Sequence, residues 1–329
     1  MRCYIVKHLN HAIQRYEQKS LRNLIMPHLD ARSSSKTAQF IPLQSRHCAL
    51  QDIPPFALKA AKKSGPVVIS APHGGITYPL DLYPLDEERL ARFRSLEDSG
   101  TAVMAELLHS AERPVLSAML GRGVIDLNRP SDALDPLLFD EAIEPLPANS
   151  PYGAYVAAGY GVIPRLCANH KALHNSPLCL TTSRELLADY HKAYHVKLGM
   201  LLAQAGTEAV LVDIHSMPPR SAGKDLPDFI FGDDFGTSLA PHYRTLIEAI
   251  MKETPYSYGW NHPYAGGYIT KTYGGHNTTH HALQIEVNRA LYTSTNHRIS
   301  LSAIEVIAAL LNQVITGIEQ YHAASLAAQ

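Results

Sequence analysis

Cysteine is scarce in this chain: four in 329 residues, Cys3, Cys48, Cys167 and Cys179, far apart and with no Cys-x-x-Cys pair. That spacing argues against a disulfide framework and a thiolate metal site, and it favours a reducing, cytoplasmic setting. Long hydrophobic runs are missing too. No stretch approaches the ~18 consecutive apolar residues of a membrane span, and the first residues lack the apolar centre of a secretory signal. Neither sign of charge dominates, with 29 Lys and Arg against 30 Asp and Glu. Without a basic block beyond the first fifty residues, binding to nucleic acid or to an anionic membrane is poorly supported, and a small-molecule substrate fits better. Nothing in the pattern specifies an oligomeric state.

What is present is an ordinary apolar share, 46%, enough for a sizeable core. Residues 1–47 read as an N-terminal extension. They are basic and acid-poor and end near Ser33, Ser34 and Ser35, which suits either a transit peptide or an accessory helix with a flexible joint. Residues 48–329 read as one α/β domain with a largely parallel sheet. Apolar runs predict strands at 66–71, 122–127, 208–214, 228–232 and 282–288. Helical periodicity predicts helices at 86–111, 184–204 with Ser183 as N-cap, 238–253 and 300–321. The stretch 130–177, rich in Pro, Gly and Tyr, reads as a long excursion over the mouth of a site.

Two histidines each close an apolar run, His73 in VVISAPHGG and His215 in AVLVDIHSMPP. Both are expected at the carboxyl end of a strand, where open α/β sheets bind their ligands. Two imidazoles converging with one carboxylate form a zinc-type donor set that leaves a fourth position for water or a substrate oxygen.

Other segments supply the rest of a site. In GRGVIDLNRP, Arg129 offers a planar fork for a carboxylate and Asn128 a neighbouring donor; the competing reading pairs Arg129 with Asp126 or Asp132. Glu286 interrupts the apolar run of HALQIEVNRALY, so it is either a general base beside an activated water or half of a buried ion pair with Arg289 or a lysine. Asp213 shares a strand face with His215 and suits an orienting role better than direct ligation. In NHPYAGGYITKTYG, Gly266 and Gly267 permit close backbone approach, with Tyr264, Tyr268 and Lys271 around them. His191 and His195 have the i,i+4 spacing of a helical metal pair, but no HExxH accompanies them.

In their order, SAPHGG, EDSGT, GVIDLNRP, the GVIPRL to YHKAYHVKL stretch, DIHSMP, DFIFGDDFGTS, NHPYAGGYITKTYG and HALQIEVNRALY resemble the N-formylglutamate amidohydrolase family over roughly residues 65–295. That family is related to the zinc carboxypeptidases and succinylglutamate desuccinylases, which implies a central mixed sheet flanked by helices. The resemblance implies one zinc ion on His73 and His215, Asn128 and Arg129 as holders of the substrate carboxylate, and Glu286 as general base. Carboxypeptidases carry a ligand glutamate three residues after the first histidine; here that position is Ile76. Asp98 is therefore the first candidate for third ligand, with Glu97 and Asp213 behind it. Lys271 stands where the family suggests a basic contact to an acidic side chain, and Arg122 is the candidate for oxyanion stabilisation. The expected activity is removal of an N-acyl, foremost an N-formyl, group from an acidic amino acid such as N-formylglutamate. Rival readings are hydrolysis of other N-acyl amino acids or peptides, and a non-catalytic carboxylate-binding protein on the same fold.

Overall fold

A seven-stranded mixed sheet organises the chain. In the computed structural model, which describes residues 40–41, 46–79, 81–82, 86–221, 223–275, 278–294 and 298–327, the strands are β1 (Phe56–Lys59), β2 (Val67–Ala71), β3 (Val115–Ala118), β4 (Val210–Met217), β5 (Phe229–Gly232), β6 (Tyr258–Trp260) and β7 (His281–Asn288). Their order across the sheet is β6-β5-β7-β4-β2-β3-β1. The central strands β7, β4, β2 and β3 run parallel, while β5 and β1 add antiparallel to the two sides of that core. Parallel neighbours require crossovers, and the connections between strands carry helices α1 (Glu87–Arg94), α2 (Thr101–Leu107), α3 (Gly153–Ala157), α4 (Leu180–Leu186), α5 (Ala193–Ala205), α6 (Pro241–Lys252) and α7 (Tyr268–Gly274), while α8 (Leu301–Leu326) follows the last strand. The extension 1–47 lies outside the described residues except at two short strands. Phe40–Ile41 pairs antiparallel with Ile299–Ser300, and Arg46–Cys48 pairs parallel with Thr77–Pro79.

Side-chain alternation gives the sheet two different faces. On β4, Val210, Val212 and Ile214 join one core with Leu283, Ile285 and Val287 of β7, under α2, α6 and α8. Each fully buried Val, Leu or Ile there stabilises the fold by ~1.5–3 kcal/mol relative to exposure. The alternate residues Leu211, Asp213 and His215 of β4, and Ala282, Gln284 and Glu286 of β7, take the opposite face. That face is covered by α4, α5, α7 and the buried loop 121–127. Its apolar residues lie at the amino ends of these strands and its polar ones at the carboxyl ends. Helix α8 is long and apolar enough to cross a membrane by length and composition. Its stripe of Ile304, Ile307, Leu311, Val314, Ile315 and Ile318 is buried in the sheet's core, which accounts for that composition.

Four of the expected strands are present within a few residues of their expected bounds. The strand expected at 122–127 is absent: β3 forms at Val115–Ala118, and 121–129 is a buried irregular segment. Its apolar residues Val124, Ile125 and Leu127 are core residues without being strand residues. The helix expected at 86–111 is two helices, broken at 95–100, where Gly100 takes a positive φ of 91°. Ser183 lies inside α4 instead of capping it; the N-cap is Cys179, and one π-helical turn, Leu187–Lys192, joins α4 to α5.

Candidate active site

His73 sits two residues beyond the end of β2, in a turn made tight by glycine. A side chain on Gly75 would lie 2.1 Å from the Leu120 carbonyl oxygen, so only glycine lets that turn approach the 119–120 backbone. His215 is the sixth residue of β4, and Asp98 occupies the break between α1 and α2, its amide donating to the His73 carbonyl at 3.3 Å. These three residues, each buried, converge. Asp98 Oδ2 is 3.2 Å from His73 Nδ1 and 3.0 Å from His215 Nδ1, and the two Nδ1 atoms are 3.1 Å apart.

The far nitrogen of each imidazole is held by its own carboxylate. His73 Nε2 donates to Asp126 Oδ1 at 2.7 Å, and His215 Nε2 donates to Asp213 Oδ2 at 2.8 Å. Proton-bearing Nε2 atoms leave lone pairs at both Nδ1 atoms, so three acceptors face one point. Three acceptors that close repel one another unless a cation lies among them. Tetrahedral zinc bonds of ~2.0–2.1 Å would set ligand atoms roughly 3.3 Å apart, close to the observed triangle. The donor set, two nitrogens and a carboxylate oxygen, therefore fits a divalent metal of the zinc type. The surrounding carboxylates favour positive charge at this point, whether it is carried by a proton or by a metal ion. Burial opposes charge on His215, yet Asp213 and Asp98 outweigh it and hold its pKa well above the ordinary imidazole value. Burial likewise pushes the Asp98 carboxyl up, but hydrogen bonds and charge from His215 and His73 override this and hold it well below the usual range.

Glu286 pairs across the parallel strands with His215, on the same face. It is buried, and it accepts from Gln284 Nε2 at 2.9 Å. Burial, aided by the charges of Asp98 and Asp213, pushes its pKa up to about 7 against the opposing influence of His215 and Arg122. Gln284 in turn accepts from the Gly267 amide at 2.9 Å, which ties the glycine loop to the middle of β7. An ion pair of Glu286 with Arg289 is not formed. Arg289 Nη1 instead donates to the Glu97 carbonyl at 2.8 Å, and the Tyr292 hydroxyl donates to the Ser99 carbonyl at 2.9 Å, so the turn after β7 grips the backbone on both sides of Asp98.

The anchor candidates meet on the other flank. Asn128 Oδ1 accepts from the Ile269 amide at 2.8 Å, which fixes the side-chain amide and leaves Nδ2 3.3 Å from His215 Nε2. Gly267 is where it is because of this contact: a Cβ there would fall 2.2 Å from Asn128 Nδ2. Arg129 is buried, with its guanidinium under the Tyr155 ring at 4.2 Å and Nε donating to the Tyr160 carbonyl at 3.2 Å. Among the described residues no carboxylate lies within ion-pair distance of it, so the internal pairing with Asp126 or Asp132 is not made. Asp126 pairs with Arg122 at 3.0 Å, and Arg122 Nη1 approaches Asp98 Oδ1 at 3.9 Å.

Tyr264 is half-buried, and its pKa is raised by burial and then by the charges of Glu286 and Asp98, which marks it as a neighbour of both. Gly266 has a positive φ of 132°. The Tyr268 ring contacts His195 and Tyr152. Lys271 is exposed, with its ammonium 3.6 Å from Asp234 Oδ1. Glu97, the alternative third ligand, turns away to the Tyr78 hydroxyl and Ser99. Asp126 and Gln284 are supports that the sequence reading did not single out; the signal available was their two-residue spacing from Asn128 and Glu286.

The family model described as N-formylglutamate amidohydrolase matches residues 65–293. N-formylglutamate deformylases of Pseudomonas aeruginosa and Pseudomonas putida are each 28% identical over 241 and 240 residues, covering 69% of this chain and 82% and 81% of theirs. The crystal structure of an N-formylglutamate amidohydrolase from Ralstonia eutropha JMP134 superposes with a TM-score of 0.72 at 27% identity, over 82% of this chain and 98% of that one. A gene product of Agrobacterium tumefaciens shares the fold with a TM-score of 0.62 at 17% identity, over 82% and 96%. With residues 65–293 matched, the chain belongs to the N-formylglutamate amidohydrolase family.

Proposed function

We propose that this chain is a zinc-dependent deformylase that hydrolyses the formyl–nitrogen amide of N-formylglutamate, releasing formate and glutamate. Family membership and the names of the Pseudomonas relatives support the reaction. The observation that carries the reading is the convergence of His73 Nδ1, His215 Nδ1 and Asp98 Oδ2 beside a buried carboxyl, Glu286, on the strand next to His215. Zinc held by those three residues would supply Lewis acidity and lower the pKa of a coordinated water from 15.7 toward ~7.

The chain's own residues do the rest. Glu286 takes a proton from the attacking water as its oxygen bonds to the formyl carbon, and delivers that proton to the amide nitrogen as the carbon–nitrogen bond breaks. Its raised pKa suits both halves of the transfer near neutrality. Arg122, oriented by Asp126, faces the developing charge on the formyl oxygen. Arg129 and Asn128 hold the substrate's α-carboxylate, which places the amide in reach of attack. The Gly266–Gly267 loop with Tyr264 and Tyr268 walls the pocket, and Lys271 attracts the acidic side chain at the rim. Free thiols at Cys167 and Cys179 suit a cytoplasmic setting.

Elemental analysis of the purified protein, combined with formate release from N-formyl-L-glutamate, tests this. The expected result is about one zinc per chain and turnover that a chelator abolishes and zinc restores. A protein that neither holds nor takes up zinc, or that holds it and leaves N-formyl-L-glutamate intact, would overturn the proposal.

A further inference from the structure

The segment 121–129 is buried yet belongs to no ladder, so its backbone carbonyls need donors from elsewhere. Around Asn128 they find them in side chains. His195 Nε2 donates to the Leu127 carbonyl at 2.9 Å, and His191 Nε2 donates to the Arg129 carbonyl at 2.7 Å. The carbonyl between them, that of Asn128, accepts from Arg129 Nη1 at 3.0 Å and from the Tyr268 amide at 3.4 Å.

We propose that His191 and His195 are positioning residues for the substrate-carboxylate anchor, holding the backbone on both sides of Asn128 and so setting where Asn128 and Arg129 point. This rests on the reading of Asn128 and Arg129 as that anchor. The two histidines flank the junction of the π-helical turn 187–192 with α5, and such turns recur where a helix presents functional side chains. Their rings are 4.3 Å apart, and the His195 ring packs against Tyr268 at 5.2 Å, the residue that itself donates to the Asn128 carbonyl. The Tyr273 hydroxyl faces His195 Nδ1 at 3.1 Å.

Both imidazoles use Nε2 as donor, which is incompatible with ligating a metal through that atom, so the i,i+4 pair serves the backbone instead. Neutral rings are what the place requires, because a charged one would compete with Arg129 for an incoming carboxylate. Burial depresses both pKa values, that of His195 to about 3, the latter helped by its neighbour His191. The clamp acts on the residue that reaches the substrate, whereas the three converging acceptors have separate supports in Asp126 and Asp213.

The test uses zinc-loaded full-length protein and two substrates, N-formyl-L-glutamate and its α-amide, which lacks the α-carboxylate. His195→Leu removes the donor and is expected to raise KM for N-formyl-L-glutamate roughly 10- to 100-fold, with zinc content, kcat and KM for the α-amide little changed. His195→Gln keeps an Nε2 donor of similar reach and is expected to restore KM. If His195→Leu does not fold, His195→Asn, whose amide stops one bond short, carries the same expectation in milder form. Equal losses on both substrates, or a His195→Gln variant no better than the variants lacking the donor, would overturn the clamp. Arg129→Met run in parallel separates the two levels: KM for N-formyl-L-glutamate unchanged in that variant overturns the anchor itself, while a raised KM there with an unaffected His195→Leu overturns only the clamp.

Discussion

His215 and Glu286 stand directly opposite each other on neighbouring parallel strands, and both side chains project to the same face of the sheet. This register brings a carboxyl beside the converging acceptors without any loop having to carry it. Rigid strands hold such pairs more closely than loops do. Glu286→Gln preserves shape and the contact with Gln284 while removing the proposed base. We expect zinc content and thermal unfolding close to the parent, and kcat lowered by roughly 10²- to 10⁴-fold. Elemental analysis and steady-state kinetics on one preparation check it, and near-parental kcat would dismiss Glu286 as base.

Asp213 and Asp126 each hold one imidazole of the proposed metal site. Asp213→Ala frees His215 to rotate and to change tautomer, so zinc affinity should weaken by about 10- to 100-fold. His215→Ala should remove the metal outright. Competition with a chromophoric chelator measures both. Unchanged affinity in Asp213→Ala would leave the carboxylate with no part in holding the metal.

The pH profile follows from Glu286. In its proposed role as base it works ionised, so kcat/KM should rise tenfold per pH unit on the acid side and level off above the carboxyl's pKa. Burial pushes that pKa up to about 7 without a cation; a bound cation favours the carboxylate and moves the midpoint lower. The acid limb is therefore expected at or below about 7. A midpoint well above 7 in the zinc-loaded enzyme contradicts the assignment.

Gly267 tests how closely the glycine loop must approach Asn128. A methyl group there lands 2.2 Å from Asn128 Nδ2, whereas one on Gly153 meets nothing within 4 Å. Gly267→Ala should fold and bind zinc but lose roughly 10- to 100-fold in kcat/KM as Asn128 is displaced. Gly153→Ala should behave as the parent. Equal activities in the two variants would mean that Asn128 need not stay in place.

Much of this site is legible along the chain because strands write their facing into a two-residue period. His215 with Asp213, and Glu286 with Gln284, could be put on one face from alternation alone, and His73 at a strand end from the run before it. The segment 121–129 misled for a physical reason. Its apolar residues match a buried strand, yet backbone pairing depends on neighbours that a local pattern does not contain, and here the ladder closes on Val115–Ala118 instead.

By itself, then, the sequence determined the sheet's polar face and the residue types that could gather at its carboxyl end, since both follow from local periodicity and chemistry. Only the tertiary structure decided which carboxylate completes the acceptor triangle. Asp98 and Glu97 are adjacent in sequence, and the choice depends on where the break between α1 and α2 lays each side chain: Asp98 against His73 and His215, Glu97 against Tyr78. The partners of Arg289, His191 and His195 were fixed in the same way, because they are carbonyls from distant parts of the chain that only folding brings within hydrogen-bond reach.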